Sequence, residues 1–133
     1  MSPSRRLSLV AGVSLAYDLT AGVMLFFFTG SMAGWFGSAV PDPVLFAKLN
    51  GLFLMAVGLG YAGAIRRPEA HRAYLWIFGP LLKGAGAVTF ITDHFQHGSP
   101  PMFLLFAATD AILAAVTLAA LLARPQVSVR PPA

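Results

Sequence analysis

The sequence predicts an all-α integral membrane protein, a four-helix antiparallel transmembrane bundle with both termini in the cytoplasm. Three observations predict it. Of the 133 residues, 57% are hydrophobic and only 11% are charged, against about 25% charged in an ordinary soluble domain. Four long apolar stretches succeed one another along the chain. The basic residues outside those stretches alternate strictly between connections.

The stretches are Leu7–Thr29, Val44–Ile65, Ala73–Thr92 and Met102–Ala123. A helix needs about 20 residues at 1.5 Å each to cross about 30 Å of hydrocarbon. Lipid offers no partners to free backbone groups, so continuous apolar runs of this length are helices. Barrel strands would be about half as long and would alternate in character.

The first stretch follows Arg5 and Arg6 and contains Asp18. Its apolar run exceeds the 7–15 residues usual in a signal peptide, so it reads as a retained helix. The connection Gly30–Pro43 is long, contains Trp35-Phe36, and is expected to hold a short interfacial segment. Pro41-Asp42-Pro43 then starts the second helix, because proline is tolerated in a first turn. The short connection Arg66–Arg72 makes the second and third helices antiparallel neighbours. In the third, Pro80 beside Gly79 is expected to kink the helix just before Lys83 and free a carbonyl there. Gly98-Ser99-Pro100-Pro101 starts the fourth helix. A single domain is thus expected over 1–124, followed by a disordered cytoplasmic tail over 125–133.

Orientation follows from charge. Arg5, Arg6, Arg66, Arg67, Arg72, Arg124 and Arg130 all fall on one side, whereas the other two connections carry only Asp42 and Asp93. This is the positive-inside pattern. The basic residues cluster between apolar runs and form no helical stripe, which argues against nucleic acid as a partner. The chain has no cysteine, which removes thiolate chemistry.

Each expected span carries a strongly polar group: Asp18, then Lys48 and Asn50, then Lys83, then Asp110. A charge facing lipid at the bilayer centre costs at least about 2.5–3.5 kcal/mol, so these groups should face the bundle interior and pair. Helical spacing puts Asp18 on a face with Ser14 and Gly22, and Asn50 with Leu54, Val57 and Gly58. It puts Lys83 with Gly79, Gly86 and Ala87, and Asp110 with Ala107, Ala114 and Thr117. Small residues let helices approach closely, so these are the packing faces. The expected pairs are Asp18 with Lys83 near the midplane, and Asp110 with Lys48 or Asn50 farther out. Lys48 has a second course open, since its long side chain can snorkel to the interface. This polar network is either interhelical glue or a proton or ligand site.

A weak internal repeat relates Pro41, Phe46-Ala47 and Asn50 to Pro101, Phe106-Ala107 and Asp110, as in two hairpins of the same orientation. Asp93, His94 and His97 offer a weak metal or proton site if the third helix continues. No span contains a histidine pair for haem. No phosphate loop, nucleophile elbow or zinc-protease helix is present.

Leu49-Asn50-Gly51, Gly58-Leu59-Gly60-Tyr61, Arg67-Pro68 and Lys83 resemble the corresponding parts of DoxX-like small bacterial four-helix membrane proteins. The resemblance covers about the middle half of the chain. It implies a compact bundle in the bacterial cytoplasmic (inner) membrane, in a group where some members serve quinone-dependent oxidation or act as accessory subunits. It carries over no catalytic residue. The leading expectation is therefore a non-catalytic accessory or assembly subunit, in contact with membrane lipids and with other membrane-protein subunits or further copies of itself. No cofactor is expected, with a quinone or a lipid as the group such a bundle could hold. The acid in the first helix also resembles that of small multidrug-resistance exporters, which makes a proton-coupled transporter using Asp18 the alternative. A membrane redox enzyme is the third reading.

Overall fold

In the computed structural model, which describes residues 1–123, those residues form helices joined by short connections, with no strand. The expected tail over 125–133, together with Arg124 and Arg130, lies outside the described residues. Four helical segments are long and apolar enough to cross a membrane: Pro3–Phe27, Leu45–Arg66, Pro68–His97 and Pro101–Leu122. Large apolar side chains stand outward on all four, among them Leu9, Phe46, Leu59, Leu81 and Ile112. Such a surface is stable against lipid and would be a liability in water.

Helix α1 (Pro3–Phe27) starts earlier than the apolar run, because Ser2 caps it by accepting from the Arg5 amide at 3.3 Å and Pro3 fits its first turn. The chain breaks at Phe28, and Thr29, expected as the last residue of the first span, opens a separate helix α2 (Thr29–Phe36) instead. This is the short segment expected around Trp35-Phe36. Gly37, in the left-handed conformation, ends it, with the Ser38 amide donating back to the Ala33 carbonyl at 2.9 Å. Helix α3 runs over Leu45–Arg66. Pro41 and Pro43 precede it and do not occupy its first turn, as the sequence reading had it.

The third span is the element that differs most from expectation. It extends beyond both ends of Ala73–Thr92, from a 3₁₀ turn at Pro68–His71 through α4 (Arg72–Trp76), a wide π-type turn at Ile77–Leu81, and α5 (Leu82–His97). Pro80 lies in the wide turn, where the Leu82 amide reaches back to the Ile77 carbonyl. A proline removes one donor from the ladder, and a local widening of this kind re-pairs the backbone around it. The apolar count ended too early because Asp93, His94, Gln96 and His97 are polar but still helical. Gly98, again left-handed, closes α5, and a 3₁₀ turn at Pro101–Phe103 leads into α6 (Leu104–Leu122).

The closest packing is between α1 and α3. A Cβ on Gly22 would stand 2.6 Å from the Gly51 carbonyl oxygen, and one on Gly58 3.0 Å from the Leu19 amide nitrogen. Residue numbers therefore rise along α1 as they fall along α3. Only glycine permits two backbones to come this close. The second hairpin is α5 with α6, and α6 also touches α1 and the wide turn. At one end Ser4 donates to Glu69 at 3.2 Å, and Arg72 donates to the Leu121 carbonyl at 2.6 Å. The start of α1, the Arg66–Arg72 connection and the end of α6 thus meet there, at what we call the basic end.

The apolar core is concentrated near that end. Leu7, Ala11, Val57, Tyr61, Ala64, Leu75, Ala120 and Leu121 form one buried cluster. Toward the opposite end the helices do not close on one another in the same way, and a hollow remains.

Candidate functional site

The hollow is a cavity of about 340 Å³, within the range of small-molecule sites. Each span contributes to it along a stretch nearer the end remote from the arginines than the apolar core. From α1 come Tyr17, Asp18, Ala21 and Leu25, and from α3 Asn50, Phe53 and Leu54. Lys83, Gly86 and Phe90 come from α5, and Phe103, Phe106 and Asp110 from the fourth span. Spacings of three or four residues recur in each set, as in Asp18–Ala21–Leu25, Asn50–Leu54, Lys83–Gly86–Phe90 and Phe103–Phe106–Asp110, which keeps each set to one side of its helix. The short helix α2 adds Thr29, Met32, Ala33 and Phe36 at the end remote from the arginines.

The floor is the pair expected from the sequence. Lys83 Nζ lies 2.5 Å from Asp18 Oδ1, with both side chains almost fully buried. The helix faces are as expected around it: Ser14, Asp18 and Gly22 are buried on α1, and Gly79, Lys83 and Ala87 on the third span. Lys83 Nζ also stands 4.9 Å from the centre of the Tyr17 ring, close enough for a cation–π contact. Beneath the pair, toward the apolar core, three buried oxygens have no hydrogen-bond partner: Asp18 Oδ2, Ser14 Oγ and Tyr61 Oη. Neighbouring Tyr74 is satisfied, since its hydroxyl donates to the Val57 carbonyl.

The second expected pair is not made. Among the described residues no ion pair joins Asp110 to Lys48, and no hydrogen bond joins it to Asn50. Lys48 is exposed and places Nζ 5.8 Å from the centre of the Phe26 ring. Its stem reaches outward, the snorkelling course, because an aromatic ring and the interface hold an ammonium at less cost than the bundle interior. Asp110 instead lies beside the Tyr17 hydroxyl and against Gly86, whose missing side chain leaves room for the carboxylate. Asn50 lines the same cavity but is exposed and makes no side-chain hydrogen bond among the described residues, so it is not the buried, paired group expected. The positions matched by the internal repeat, Asn50 and Asp110, thus face one space. Phe46 and Phe106 do not correspond, since Phe46 is 68% exposed and Phe106 is packed inward.

The walls are aromatic. Phe36 stacks on Phe106 with ring centres 4.8 Å apart, and Phe90 on Phe106 at 5.6 Å. Phe103 completes the set, 5.4 Å from Phe36 and 6.2 Å from Phe90. Sequence reasoning missed these rings and Tyr17. The signal was available in the spacing Lys83–Gly86–Phe90 and Phe103–Phe106–Asp110, which puts each aromatic on the face of a charged residue. Phe36 had no such signal, because it reaches the cavity only through the fold of α2.

The outer histidines do not form a metal site. The helix does continue through His97, as that reading required, but His97 donates to Asp93 at 2.9 Å while His94 donates to the Ser99 carbonyl at 2.6 Å. Among the described residues no group of three ligating side chains converges. Comparison with protein-family models, with curated proteins and with solved structures finds no match.

Proposed function

We propose that this chain is a small multi-pass protein of the bacterial cytoplasmic membrane that holds a hydrophobic small molecule, taken from the bilayer, inside an antiparallel four-helix bundle. In this reading it serves as a non-catalytic accessory or assembly subunit, in the manner of the DoxX-like proteins it resembles. Both termini face the cytoplasm, since Arg5, Arg6, Arg66, Arg67 and Arg72 gather at one end and the opposite connections have no basic residue.

The observation that supports this reading is the cavity itself. A mainly apolar chamber of about 340 Å³ with a few convergent polar groups has the make-up of a ligand site. Among the described residues no group of three metal-ligating side chains stands beside its floor, Asp18 and Lys83. Holding and orienting a molecule is within its means. Lipid or quinone is the class of occupant that the resemblance suggests.

Native mass spectrometry of the protein, extracted from membranes in mild detergent, tests the reading, together with crosslinking in the membrane. A co-purifying hydrophobic molecule of bounded mass, displaced in Phe106→Trp, is the expected result. Recovery of bare protein with neither bound molecule nor neighbouring subunit would exclude it.

Transport is the second reading. The 2.5 Å contact of Asp18 with Lys83 counts against Asp18 as a freely exchanging carboxylate, because a bound ammonium competes with the proton. Asp110, without an ion-pair partner among the described residues, is better suited to that role. Uptake into proteoliposomes driven by a pH gradient, and lost in Asp110→Asn, would favour transport over passive holding.

A further inference from the structure

The cavity is unbalanced in charge. Two carboxyl groups, Asp18 and Asp110, line it against the single ammonium of Lys83. Lys83 is committed to Asp18 Oδ1 at 2.5 Å, and Asp18 Oδ2 is buried without a partner. Lys48, the one remaining intramembrane cation in the sequence, lies outside the chamber against Phe26. A carboxylate in a membrane segment is costly unless something answers it, and Asp110 has the Tyr17 hydroxyl beside it and Lys83 at longer range but no ion-pair partner among the described residues.

The other walls match a cation too. Phe36, Phe90, Phe103 and Phe106 line the cavity as one cluster packed ring against ring, and Tyr17 lies beside Asp110. The faces of aromatic rings carry negative potential and attract ammonium groups, most strongly when water is excluded. Aromatic rings around a carboxylate are the recognised chemistry for quaternary and protonated amines. A neutral ligand head would leave Asp110 without a counter-ion.

We infer that the cavity selects a small organic cation, an amine or quaternary ammonium on a compact aromatic or aliphatic body, with Asp110 as counter-ion and the cluster of Phe36, Phe90, Phe103 and Phe106 as its aromatic wall. This rests on reading the chamber as a ligand-holding site and assigns the class of ligand. The volume of about 340 Å³ suits one ring and a trimethylammonium-sized head better than a long lipid chain.

Three probes of one shape separate the possibilities: benzyltrimethylammonium, its neutral isostere neopentylbenzene, and the anion phenylmethanesulfonate. Their binding to the full chain in nanodiscs is measured by equilibrium dialysis, with empty nanodiscs as the baseline. The cation is expected to bind at least about tenfold more tightly than the neutral isostere, and the anion not at all. Asp110→Asn should bring cation and neutral isostere to within about twofold of each other. Phe36→Leu, which changes a residue outside the four spans, should reduce the preference several-fold by removing a ring face while leaving the carboxylate. Equal binding of cation and neutral isostere to the unaltered protein would overturn the inference and leave the ligand-holding reading intact. Binding of none of the three would overturn both. A cation preference unchanged in Asp110→Asn would likewise overturn the role given to Asp110.

Discussion

Asp18 and Lys83 meet across 65 positions of sequence with their side chains only 3% and 4% exposed. Removing one partner from such a pair leaves an unanswered charge, which costs about 3–5 kcal/mol. Asp18→Leu and Lys83→Leu should therefore each lower the thermal unfolding midpoint in detergent substantially, whereas the double change to leucine should recover most of the loss. The reversed pair, Asp18→Lys with Lys83→Asp, should also recover part of it. Reversed and double variants as unstable as the single ones would show that this contact does not hold the helices in register.

At the scale of elements, the α1–α3 hairpin is set by how closely its backbones approach. A methyl group on Gly22 would lie 2.6 Å from the Gly51 carbonyl oxygen and 2.8 Å from the Met55 amide nitrogen. Neither atom can move without its helix, so Gly22→Ala should cost about 1–3 kcal/mol, the usual penalty of overpacking. Gly34, in α2, has nothing within 4 Å of the same position. Gly34→Ala should be neutral or slightly stabilising, because alanine is the better helix former. Chemical unfolding of the two variants side by side is the measurement, and a similar loss in both would remove the close-packing explanation. Helix α2 matters for a different reason. It is only 8 residues long, yet it brings Thr29, Met32, Ala33 and Phe36 to the cavity.

The whole molecule divides lengthwise into a packed half near the arginines and a hollow half beyond the Asp18–Lys83 floor. That division has a direction only if the bundle has an inside and an outside. The chain contains no cysteine, so single introduced thiols report topology cleanly. Asp42→Cys and Gln96→Cys are expected to react with a membrane-impermeant maleimide in intact cells, and Ser2→Cys and Ala70→Cys only after the membrane is broken. The opposite pattern would invert the orientation and place the cavity mouth on the cytoplasmic side.

The presence of four membrane-length helices and the inward faces that carry Asp18 and Lys83 were determined by the sequence alone, because lipid demands continuous apolar helices and penalises a buried charge left unpaired. That same rule brought Asp18 and Lys83 together before any coordinates were needed. Tertiary structure decided what the rule leaves open. Lys48 and Asp110 had compatible charge and depth, yet Lys48 turned to Phe26 and the interface while Asp110 stayed over the cavity. A flexible four-carbon side chain has two acceptable environments and a short carboxylate has one. The third span outran its apolar count, since hydrogen bonding continues through polar residues until Gly98 ends it. The aromatic wall was invisible for a similar reason: Phe36, Phe90, Phe103 and Phe106 are ordinary apolar letters in the chain. They become a site only where the packing of α2, α5 and α6 leaves space between them.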